Sequence, residues 1–464
     1  MVMTKVYSFP RGGISLEDPA VPVKGPSVVA CLPGLSVIPL IQHAGARAYP
    51  VVSIGDMVRE GMIIARGQGR GSANIHATVP GRVIRMVSWK GYGSVNDALV
   101  IRLEGSFEKL GKKEEIFPWE GLTCFELQRI ISEYGIVEME GSGYPVADML
   151  SSLRNSPEPY TLVVRCVFDD PWLAADRLLC RERIKAVAEG ALIMSRAGRV
   201  NRVVFVLSHG ERELGEALMA EAGGWDIPSS LMLAGSRYPQ RNRRELELVL
   251  RRYAKKELIE PGSLLVLGPA TLAAVHDAVK LKKPILDRYV AVGGSAVKMP
   301  QVMKVRLGTR IGEVFAECGG FVNKPKRIAT GSPLQGRPVA DLDEPVVKTS
   351  YAVFAILENR MDTRSRVQNC IGCGECRAVC PVGLDPEELY KKTLRGFMLP
   401  PVPKTGTAGN HDRGGRGSYS SRDNYSYHDN YSCHGCGCCD VVCPSRLPLS
   451  ACILGDAGFG RGKA

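Results

Sequence analysis

Two stretches near the C-terminus share one spacing: Cys370-Ile-Gly-Cys373-Gly-Glu-Cys376-Arg-Ala-Val-Cys380-Pro381 and Cys433-His-Gly-Cys436-Gly-Cys438-Cys439-Asp-Val-Val-Cys443-Pro444. Each has the form C-x2-C-x2-C-x3-C-P. Zinc sites also use C-x2-C pairs, but they need only four ligands and gain nothing from a further C-x2 spacing that is followed by x3-C-P. Disulfides would require an oxidising compartment. The repeated spacing therefore favours iron–sulfur ligation.

This spacing is the one by which bacterial two-cluster ferredoxins hold 4Fe–4S cubanes, and there the fourth cysteine of a run ligates the other cluster. We therefore predict two 4Fe–4S clusters that share ligands between the runs. The first would be bound by Cys370, Cys373, Cys376 and Cys443, and the second by Cys433, Cys436, Cys439 and Cys380. If Cys438 were a ligand, the ligand spacing of the second run would no longer match that of the first. We therefore expect Cys438 to be a non-ligand thiol beside the second cluster.

The chain has 464 residues and a formal net charge of +12, enough for three or four domains and suited to an acidic partner. That partner could be an anionic membrane surface, an acidic protein or nucleic acid. No zinc finger, RNA-recognition signature or basic heptad region occurs, so nucleic acid is not expected. The remaining cysteines are scattered, which favours a reducing cytoplasm. Without a signal-peptide pattern or an apolar run of about 18 residues, we expect no membrane span.

The pattern along the chain changes three times, which predicts a multidomain α/β plus β fold. Residues 37–103 contain short strands and glycine turns resembling a barrel-sandwich of the biotinyl/lipoyl type. Strands then alternate with helices as in a mostly parallel sheet, and short strands resembling a ubiquitin-like β-grasp module follow. The predicted domains are 1–118 (barrel-sandwich), 119–286 (α/β), 287–345 (β-grasp) and 346–464 (twin-cluster ferredoxin type, with a low-complexity insert at 400–432).

This order of parts resembles the RnfC family, a component of the Rnf ion-translocating electron-transport complex, over almost the whole chain. Besides the cysteine runs, the resemblance rests on five stretches. They are Ile38-Pro-Leu-Ile-Gln-His43, Ile75-His-Ala77, Leu286-Asp-Arg-Tyr-Val-Ala-Val-Gly-Gly294, residues 311–321 and Gly331-Ser-Pro-Leu-Gln-Gly336. The resemblance implies a peripheral electron-transfer subunit bound to membrane subunits on the cytoplasmic side of the inner membrane. It also implies an α/β domain like the flavin-bearing subunit of respiratory complex I, and an SLBB-type β-grasp module.

The flavin motifs depart from that family. Its glycine loop, Gly-Ile-Val-Gly-Met-Gly-Gly-Ala-x-Phe-Pro, appears here as Gly135-Ile-Val-Glu138-Met-Glu140-Gly141-Ser-Gly143-Tyr-Pro145, with Met149 in place of the lysine that ends it. Bare backbone N–H groups can approach a phosphate, whereas glutamates add bulk and negative charge. The segment Asn-Gly-Ala-Glu-x-Glu-Pro-Tyr has become Arg165-Cys-Val-Phe-Asp-Asp170-Pro-Trp172, and a third glycine pair has become Arg241-Asn242.

We therefore expect the fold to be kept and the FMN and NADH sites to be degenerate. The remaining cofactor-site residues would be Gly135, Gly141, Gly143 and Asp170, and no catalytic side chain is expected. NADH dehydrogenase activity is not expected of this chain itself. Electrons would then arrive singly from an acidic flavodoxin or ferredoxin. The predicted docking residues are Arg237, Arg241, Arg243, Arg244, Arg251, Arg252, Lys255 and Lys256, which could equally be a solvated helix face.

Two other functions stay open from the sequence. The same architecture resembles the flavin- and NADH-dependent corrinoid reductases of diol-degrading microcompartments, although the glycine losses count against that function too. The other is a basic, RNA-associated iron–sulfur protein that would act through the 400–432 insert, because its tyrosines and arginines could stack on bases.

Overall fold

A computed structural model describes residues 5–22, 25–91, 94–107, 115–153, 160–257, 263–357, 367–395 and 433–454. The predicted insert 400–432 therefore lies outside the described residues. The described chain divides into two compact units. The first contains the described parts of Met1–Ser8, Leu16–Ser236 and Gln240–Asn359. The second, called the cluster unit here, contains Phe9–Ser15, Arg237–Pro239 and the described residues from 367 onward.

The N-terminal part of the first unit is built from short strands. They are β1 (Val6–Tyr7), β2 (Val28–Val29), β3 (Leu35–Pro39), β4 (Tyr49–Pro50), β5 (Met57–Val58), β6 (Ile63–Arg66), β7 (Ile75–His76), β8 (Gly81–Gly91) and β9 (Ser94–Leu103). A four-stranded sheet β3-β9-β8-β5 and a three-stranded sheet β4-β6-β7 enclose a core that includes Ile38, Ile64, Ile75 and Ile101. This is a barrel-sandwich arrangement.

The barrel-sandwich presents a hairpin tip, residues 67–72, to the α/β part of the same unit. The backbone N–H of Gly71 donates to the Asp148 carboxylate over 2.6 Å. The Arg70 guanidinium donates to the hydroxyl of Tyr144 over 3.1 Å. The tip is therefore held against Tyr144, in the loop predicted from the sequence to be a degenerate flavin loop, and against Asp148 just after it.

The α/β part follows. Its elements are α1 (Cys124–Glu133), α2 (Val146–Leu153), β10 (Tyr160–Cys166), α3 (Ala174–Glu182), α4 (Ile184–Gly198), β11 (Val200–Ser208), α5 (Arg212–Glu221), β12 (Ser229–Ala234), α6 (Arg243–Lys256), β13 (Ser263–Leu267) and α7 (Pro269–Lys280), with short 3-10 turns at Pro171–Leu173 and His209–Glu211. The sheet has the order β1-β12-β11-β10-β13, and all of its pairs are parallel.

The sheet is parallel because its strands read as nearly continuous apolar runs. Six of the seven residues of β10 and most of β11 are buried, as expected for strands covered on both faces. The carboxyl ends of parallel strands meet at one edge, so the segments after β10, β12 and β13 lie together there. That edge is where the predicted flavin motifs fall.

The helical stretch Trp172–Met194 is divided between two helices, α3 and α4. The chain leaves helical geometry at Arg183, whose φ and ψ are −122° and 35°. The Arg183 guanidinium donates to both carboxylate oxygens of Asp277, over 2.9 and 2.6 Å. A long-range ion pair thus separates α3 from α4, and spacing along the helix carries no sign of it.

The β-grasp part contains β14 (Asp287–Gly293), β15 (Gln301–Arg306), α8 (Ile311–Glu317), β16 (Arg327–Thr330), β17 (Arg337–Pro338) and β18 (Ala352–Ile356). These strands and β2 form a mixed sheet of the order β17-β16-β18-β14-β15-β2. Ile311, Val314 and Phe315 bury the apolar face of α8.

The cluster unit has four short helices, α9 (Glu375–Ala378), α10 (Pro386–Leu394), α11 (Cys438–Val442) and α12 (Leu449–Leu454). Two segments from elsewhere in the chain, Phe9–Ser15 and Arg237–Pro239, belong to the same unit. The Arg237 guanidinium donates to the carbonyl oxygens of Gly12 and Phe9, over 2.6 and 2.8 Å, and its charge lies 4.7 Å from the Phe9 ring centre.

Candidate functional site

The two cysteine runs fold into loops of the same shape. Gly372 and Gly374 have φ values of 68° and 77°, and their counterparts Gly435 and Gly437 have 67° and 75°. Residues with a Cβ rarely adopt this left-handed conformation, which glycine reaches at little cost. Each loop then enters a short helix, α9 or α11. The glycines thus turn the backbone around the first three cysteines of each run.

Cysteines of both runs line one open pocket. Cys370, Cys373 and Cys376 come from the first run, and Cys443 comes from the second. The backbone N–H of Leu447 donates to the sulfur of Cys443 over 3.4 Å. The structure therefore brings together the four residues predicted for the first cluster. Their ligation of iron stays a prediction.

The last cysteine of the first run lies with the second run. Cys380 and Cys433 belong to one small apolar cluster. The backbone N–H of Leu384 donates to the Cys380 sulfur over 3.2 Å, which repeats the bond made to Cys443. Burial, and then the nearby sulfurs of Cys436 and Cys380, raise the pKa of the Cys433 thiol to about 11.

The donor set is of the kind that binds 4Fe–4S cubanes. Four thiols from both runs line one pocket, Cys380 of the first run packs with Cys433 of the second, and backbone N–H groups donate to the sulfur of the fourth cysteine in each run. Such N–H···S bonds are among the features by which proteins tune cluster potentials. The assignment of Cys436 and Cys439 to the second cluster stays a prediction, and Cys439 packs with Cys376.

The two runs differ in solvent exposure. Ile371 is 68% exposed and Cys373 is also exposed, whereas their counterparts His434 and Cys436 are half-buried. The third cysteines, Cys376 and Cys439, are both buried, and so is Cys438.

Cys438 lies within hydrogen-bond reach of the Cys436 sulfur. At the equivalent position the first run has Glu375, which is exposed. The second run therefore holds a fifth thiol that the first run lacks.

The segment Phe9–Ser15 lies against the end of the first run, and Tyr238 of the segment Arg237–Pro239 lies against the second run. The hydroxyl of Tyr238 donates to the carbonyl oxygen of Cys436 over 2.8 Å. The backbone N–H of Gly13 donates to Val379 O over 2.8 Å, and a Cβ on Gly12 would lie 2.6 Å from that same oxygen. Sequence reasoning missed these contacts, although the two adjacent glycines Gly12 and Gly13 indicate a close backbone approach.

The predicted flavin residues lie at the expected edge of the sheet but have other partners. Gly135 has a φ of 60°, and its carbonyl accepts from the Lys348 ammonium over 2.8 Å. Gly143 also has a positive φ, 65°. The Asp170 carboxylate accepts from the backbone N–H of Trp172 over 2.9 Å, so it caps a 3-10 turn.

The loop that contains Gly141 closes on itself. Four of its backbone N–H groups already donate to acceptors of the first unit, namely those of Glu138, Met139, Ser142 and Gly143. These are the groups with which a glycine loop would bind a phosphate. The loop therefore offers few free donors to a flavin phosphate.

The two glutamates that replace glycine have partners inside the first unit. One Glu138 oxygen accepts from the backbone and hydroxyl of Ser142, over 2.6 and 2.9 Å, and the other lies 3.1 Å from the Arg165 guanidinium. Glu140 reaches the N-terminus of α7, where one oxygen accepts from the backbone N–H of Thr271 over 3.0 Å and the other from its hydroxyl over 2.5 Å.

Arg241 completes this network. Its guanidinium donates to the carbonyl oxygen of Glu140, and its backbone N–H donates to the Asp169 carboxylate, each over 2.9 Å. Burial raises the pKa of Asp169 to about 7. Deeper in the site, Arg288 and Asp176 form a fully buried pair at 2.6 Å.

The residues present do not fit FMN. The charged core, as we call this network, has five carboxyl groups and three guanidinium groups: Glu138, Glu140, Asp169, Asp170 and Asp176 against Arg165, Arg241 and Arg288. A flavin phosphate would add negative charge where acid is already in excess. The sequence predicts that the glutamates oppose an anion, but it misses the ion pair of Glu138 with Arg165 and the hydrogen bonds of the Glu140 carboxylate to Thr271.

Two residues of the predicted docking surface are not surface residues. The guanidinium groups of Arg237 and Arg241 bind backbone carbonyls inside the chain. Both residues are therefore removed from the predicted docking surface. The exposed residues of α6 are the other six, Arg243, Arg244, Arg251, Arg252, Lys255 and Lys256. A long helix with only cations on its exposed face remains.

In the part of the chain that the structure describes, none of the helices combines the length and the apolar character that crossing a bilayer requires.

Four family models match the chain in succession. They describe an RnfC barrel-sandwich hybrid domain (residues 11–105), a Nuo51 FMN-binding domain (131–277), an SLBB domain (289–339) and a 4Fe-4S dicluster domain (365–447). The predicted fold class is thereby confirmed.

Curated relatives match most of the chain. The RnfC-type component of the ion-translocating oxidoreductase complex of Rhodobacter capsulatus is 32% identical over 372 residues, covering 79% of this chain and 71% of that protein. Its counterpart in the proton-translocating ferredoxin:NAD(+) oxidoreductase complex of Clostridium ljungdahlii is 28% identical, with 84% and 87% covered. Crystal structures of NAD+-reducing [NiFe]-hydrogenase match with a TM-score of 0.46 at 15% identity, covering 60% of this chain and 53% of that one.

Proposed function

The chain belongs to the RnfC family of the ion-translocating oxidoreductase complexes, and from this we propose that single electrons enter such a complex through it. It is a peripheral electron-transfer subunit of an ion-translocating oxidoreductase, and its cofactors are two 4Fe–4S clusters. The observation that carries the proposal is the meeting of both cysteine runs around one pocket. It supports two clusters built as a single relay rather than two separate sites.

The clusters supply one-electron transfer when they are bound. The protein holds the thiolates, donates backbone N–H groups to the sulfurs of Cys380 and Cys443, and covers the second run with Tyr238. The exposed face of the first run is the one that a redox partner could approach closely. This supports an order in which the first cluster exchanges electrons with a partner protein and the second relays them inside the chain.

The charged core argues for a one-electron donor. NADH delivers a hydride, which needs a two-electron acceptor such as a flavin, and the residues at the flavin position do not fit one. We infer that the donor is a small reduced carrier, an acidic flavodoxin or ferredoxin. The six exposed cations of α6 suit such a partner, because complementary charge speeds encounter.

Membership of the family places the chain beside membrane subunits, which we propose as its stable partners. The cytoplasmic side of the inner membrane is the proposed location, since cluster cysteines and other free thiols suit a reducing compartment. The flavin-dependent corrinoid-reductase function is not favoured, because it needs the cofactor that the charged core does not fit.

One preparation tests the proposal. The full chain is purified without oxygen, and iron, acid-labile sulfide and flavin are measured on the same sample. We expect about eight irons and about eight sulfides per chain without stoichiometric FMN. Reduced flavodoxin or ferredoxin should then bleach the clusters quickly, whereas NADH alone should not. About four irons or about one zinc would contradict the two-cluster assignment, and stoichiometric FMN with rapid bleaching by NADH would restore a flavin mechanism.

A further inference from the structure

The loops that follow the fourth cysteine of each run have the same backbone. They read Cys380-Pro-Val-Gly383-Leu384 and Cys443-Pro-Ser-Arg446-Leu447. In each loop the N–H of the leucine donates to the cysteine sulfur, over 3.2 and 3.4 Å. The residue before the leucine has a positive φ in both, 79° at Gly383 and 56° at Arg446. The first loop therefore has a glycine at the position where the second loop has an arginine.

The space beside Gly383 is occupied by an arginine from far away in the sequence. A Cβ on Gly383 would lie 2.5 Å from Nη1 of Arg11 and 2.7 Å from its Cζ, so this guanidinium packs directly on the glycine. The positive φ alone does not demand glycine here, because Arg446 adopts the same region of φ with a side chain. The space that Arg11 needs therefore explains why residue 383 is glycine.

The backbone around Arg11 is fixed against the end of the first run. The N–H of Gly13 donates to Val379 O over 2.8 Å, and a Cβ on Gly12 would lie 2.7 Å from the carbonyl oxygen of Cys380. Arg11 is exposed and forms no ion pair with any residue that the structure describes. A positive charge without a paired acid therefore lies on the loop that begins at Cys380.

We propose that Arg11 sets the reduction potential of the second cluster, by placing a positive charge on the loop of its ligand Cys380. Arg446 has the equivalent position for the first cluster, on the loop of Cys443. Reduction of a cubane adds a negative charge, so a nearby cation stabilises the reduced state and raises the potential. A higher potential of the second cluster favours the passage of electrons to it from the first. This inference rests on the proposed function, because it takes Cys380 as a ligand of the second cluster.

Arg11→Gln should lower the midpoint potential of the second cluster and leave that of the first unchanged. A redox titration of the full chain, monitored by electron paramagnetic resonance at low ionic strength, measures both potentials. Cys380→Ala and Cys443→Ala, each of which should retain one cluster, identify the two signals. At a fixed potential, the ratio of reduced to oxidised second cluster should fall at least about threefold, which is about 30 mV for one electron. Arg11→Lys should keep most of the wild-type potential, because it keeps the charge.

Three further variants separate a local charge effect from a structural one. Arg446→Gln should lower the potential of the first cluster alone. Gly383→Ala removes no charge but displaces the guanidinium of Arg11, so it should lower the potential of the second cluster. In the Arg11→Gln background, Gly383→Ala should have no further effect. Lys5→Gln removes an exposed cation of the first unit and should change neither potential.

Equal shifts of both clusters in Arg11→Gln would overturn the inference, and so would unchanged potentials in a variant that retains about eight irons per chain. A wild type with about four irons would instead contradict the two-cluster assignment on which the inference rests. If Arg11→Gln loses iron, Gly383→Ala decides the question, because it keeps the arginine in the chain. A lowered second potential in that variant supports the role of Arg11, and an unchanged one excludes it.

Discussion

The guanidinium of Arg165 lies 3.1 Å from the carboxylate of Glu138, and the two side chains are only 14% and 8% exposed. Both residues stand where the resembling family has uncharged ones, asparagine and glycine. The negative charge gained in the loop is thus matched by a positive charge gained at the end of β10. This pairing gives each of the two buried charges a partner within the protein.

Arg165→Ala should destabilise the chain by about 3 kcal/mol, because it leaves the Glu138 carboxylate buried without its ion pair. The free energy of unfolding of the reduced, anaerobic protein measures this. Arg212→Ala is the matched control, since Arg212 and Glu216 form an exposed pair, 47% and 56% accessible, and should cost at most about 0.5 kcal/mol. Equal costs for both variants would contradict the role given to Arg165.

Cys380→Ala should damage the cluster predicted to be held by Cys433, Cys436 and Cys439, although Cys380 belongs to the first run. Iron should fall to about four per chain, and electron paramagnetic resonance of the reduced protein should retain the signal of the first cluster. The reciprocal variant Cys443→Ala should remove that signal and keep the other. Loss of the first-run cluster in Cys380→Ala would show that each run is self-contained.

Cys436→Ala should keep more iron than Cys373→Ala, the equivalent variant in the first run. The Cys438 thiol lies buried beside Cys436 and can replace it, whereas the first run has Glu375 at that position. We expect about eight irons in Cys436→Ala and about four in Cys373→Ala. The double variant of Cys436 and Cys438 should also fall to about four. Similar losses in both single variants would exclude Cys438 as a reserve ligand.

Reversal of charge on α6 should slow reduction by an acidic carrier. Replacing Arg243, Arg244, Arg251 and Arg252 with glutamate removes the attraction that speeds encounter, so the rate at low salt should fall at least about tenfold. The wild-type rate should decline as salt rises and approach that of the variant, because salt screens exposed charge. Iron content should stay unchanged. A rate independent of both salt and these arginines would place the docking site elsewhere.

The stability of the chain should depend on pH through Lys348. Its ammonium donates to the carbonyls of Asn74 and Gly135, and burial lowers its pKa from 10.5 to about 7. Between pH 7 and 10.5 the unfolded chain binds a proton that the folded chain lacks, so stability rises with pH, by at most about 1.4 kcal/mol per unit. Below pH 7 both states are protonated and this contribution is constant.

Urea unfolding of the wild type and Lys348→Met between about pH 7 and pH 9 measures that slope. The wild type should gain stability relative to the variant as pH rises. A constant difference across this range would mean that Lys348 is fully charged in the folded protein.

Much of the fold follows from local pattern. The cysteine spacing predicts the loops, and the apolar runs of β10 and β11 predict a parallel sheet. Spacing cannot show which distant residues meet. Glu138 and Arg165 are 27 positions apart, and Glu140 and Arg241 are 101 apart. From the sequence alone, the glutamates are therefore predicted to repel a phosphate, although the fold supplies partners for them. Arg237 is predicted to be a surface cation for the same reason, because Phe9 lies too far away in sequence to suggest a contact.

The two segments that contact the cysteine runs also constrain the order of assembly. Along the chain, Phe9–Ser15 is synthesised before Arg237–Pro239, and both are synthesised before the cysteines. Domains made of one continuous stretch can fold during synthesis, but a unit assembled from three separated stretches must await its final piece. Iron delivery should therefore be a step that follows translation, and a C-terminal fragment expressed alone should assemble its second cluster without the protection that Tyr238 gives the intact chain.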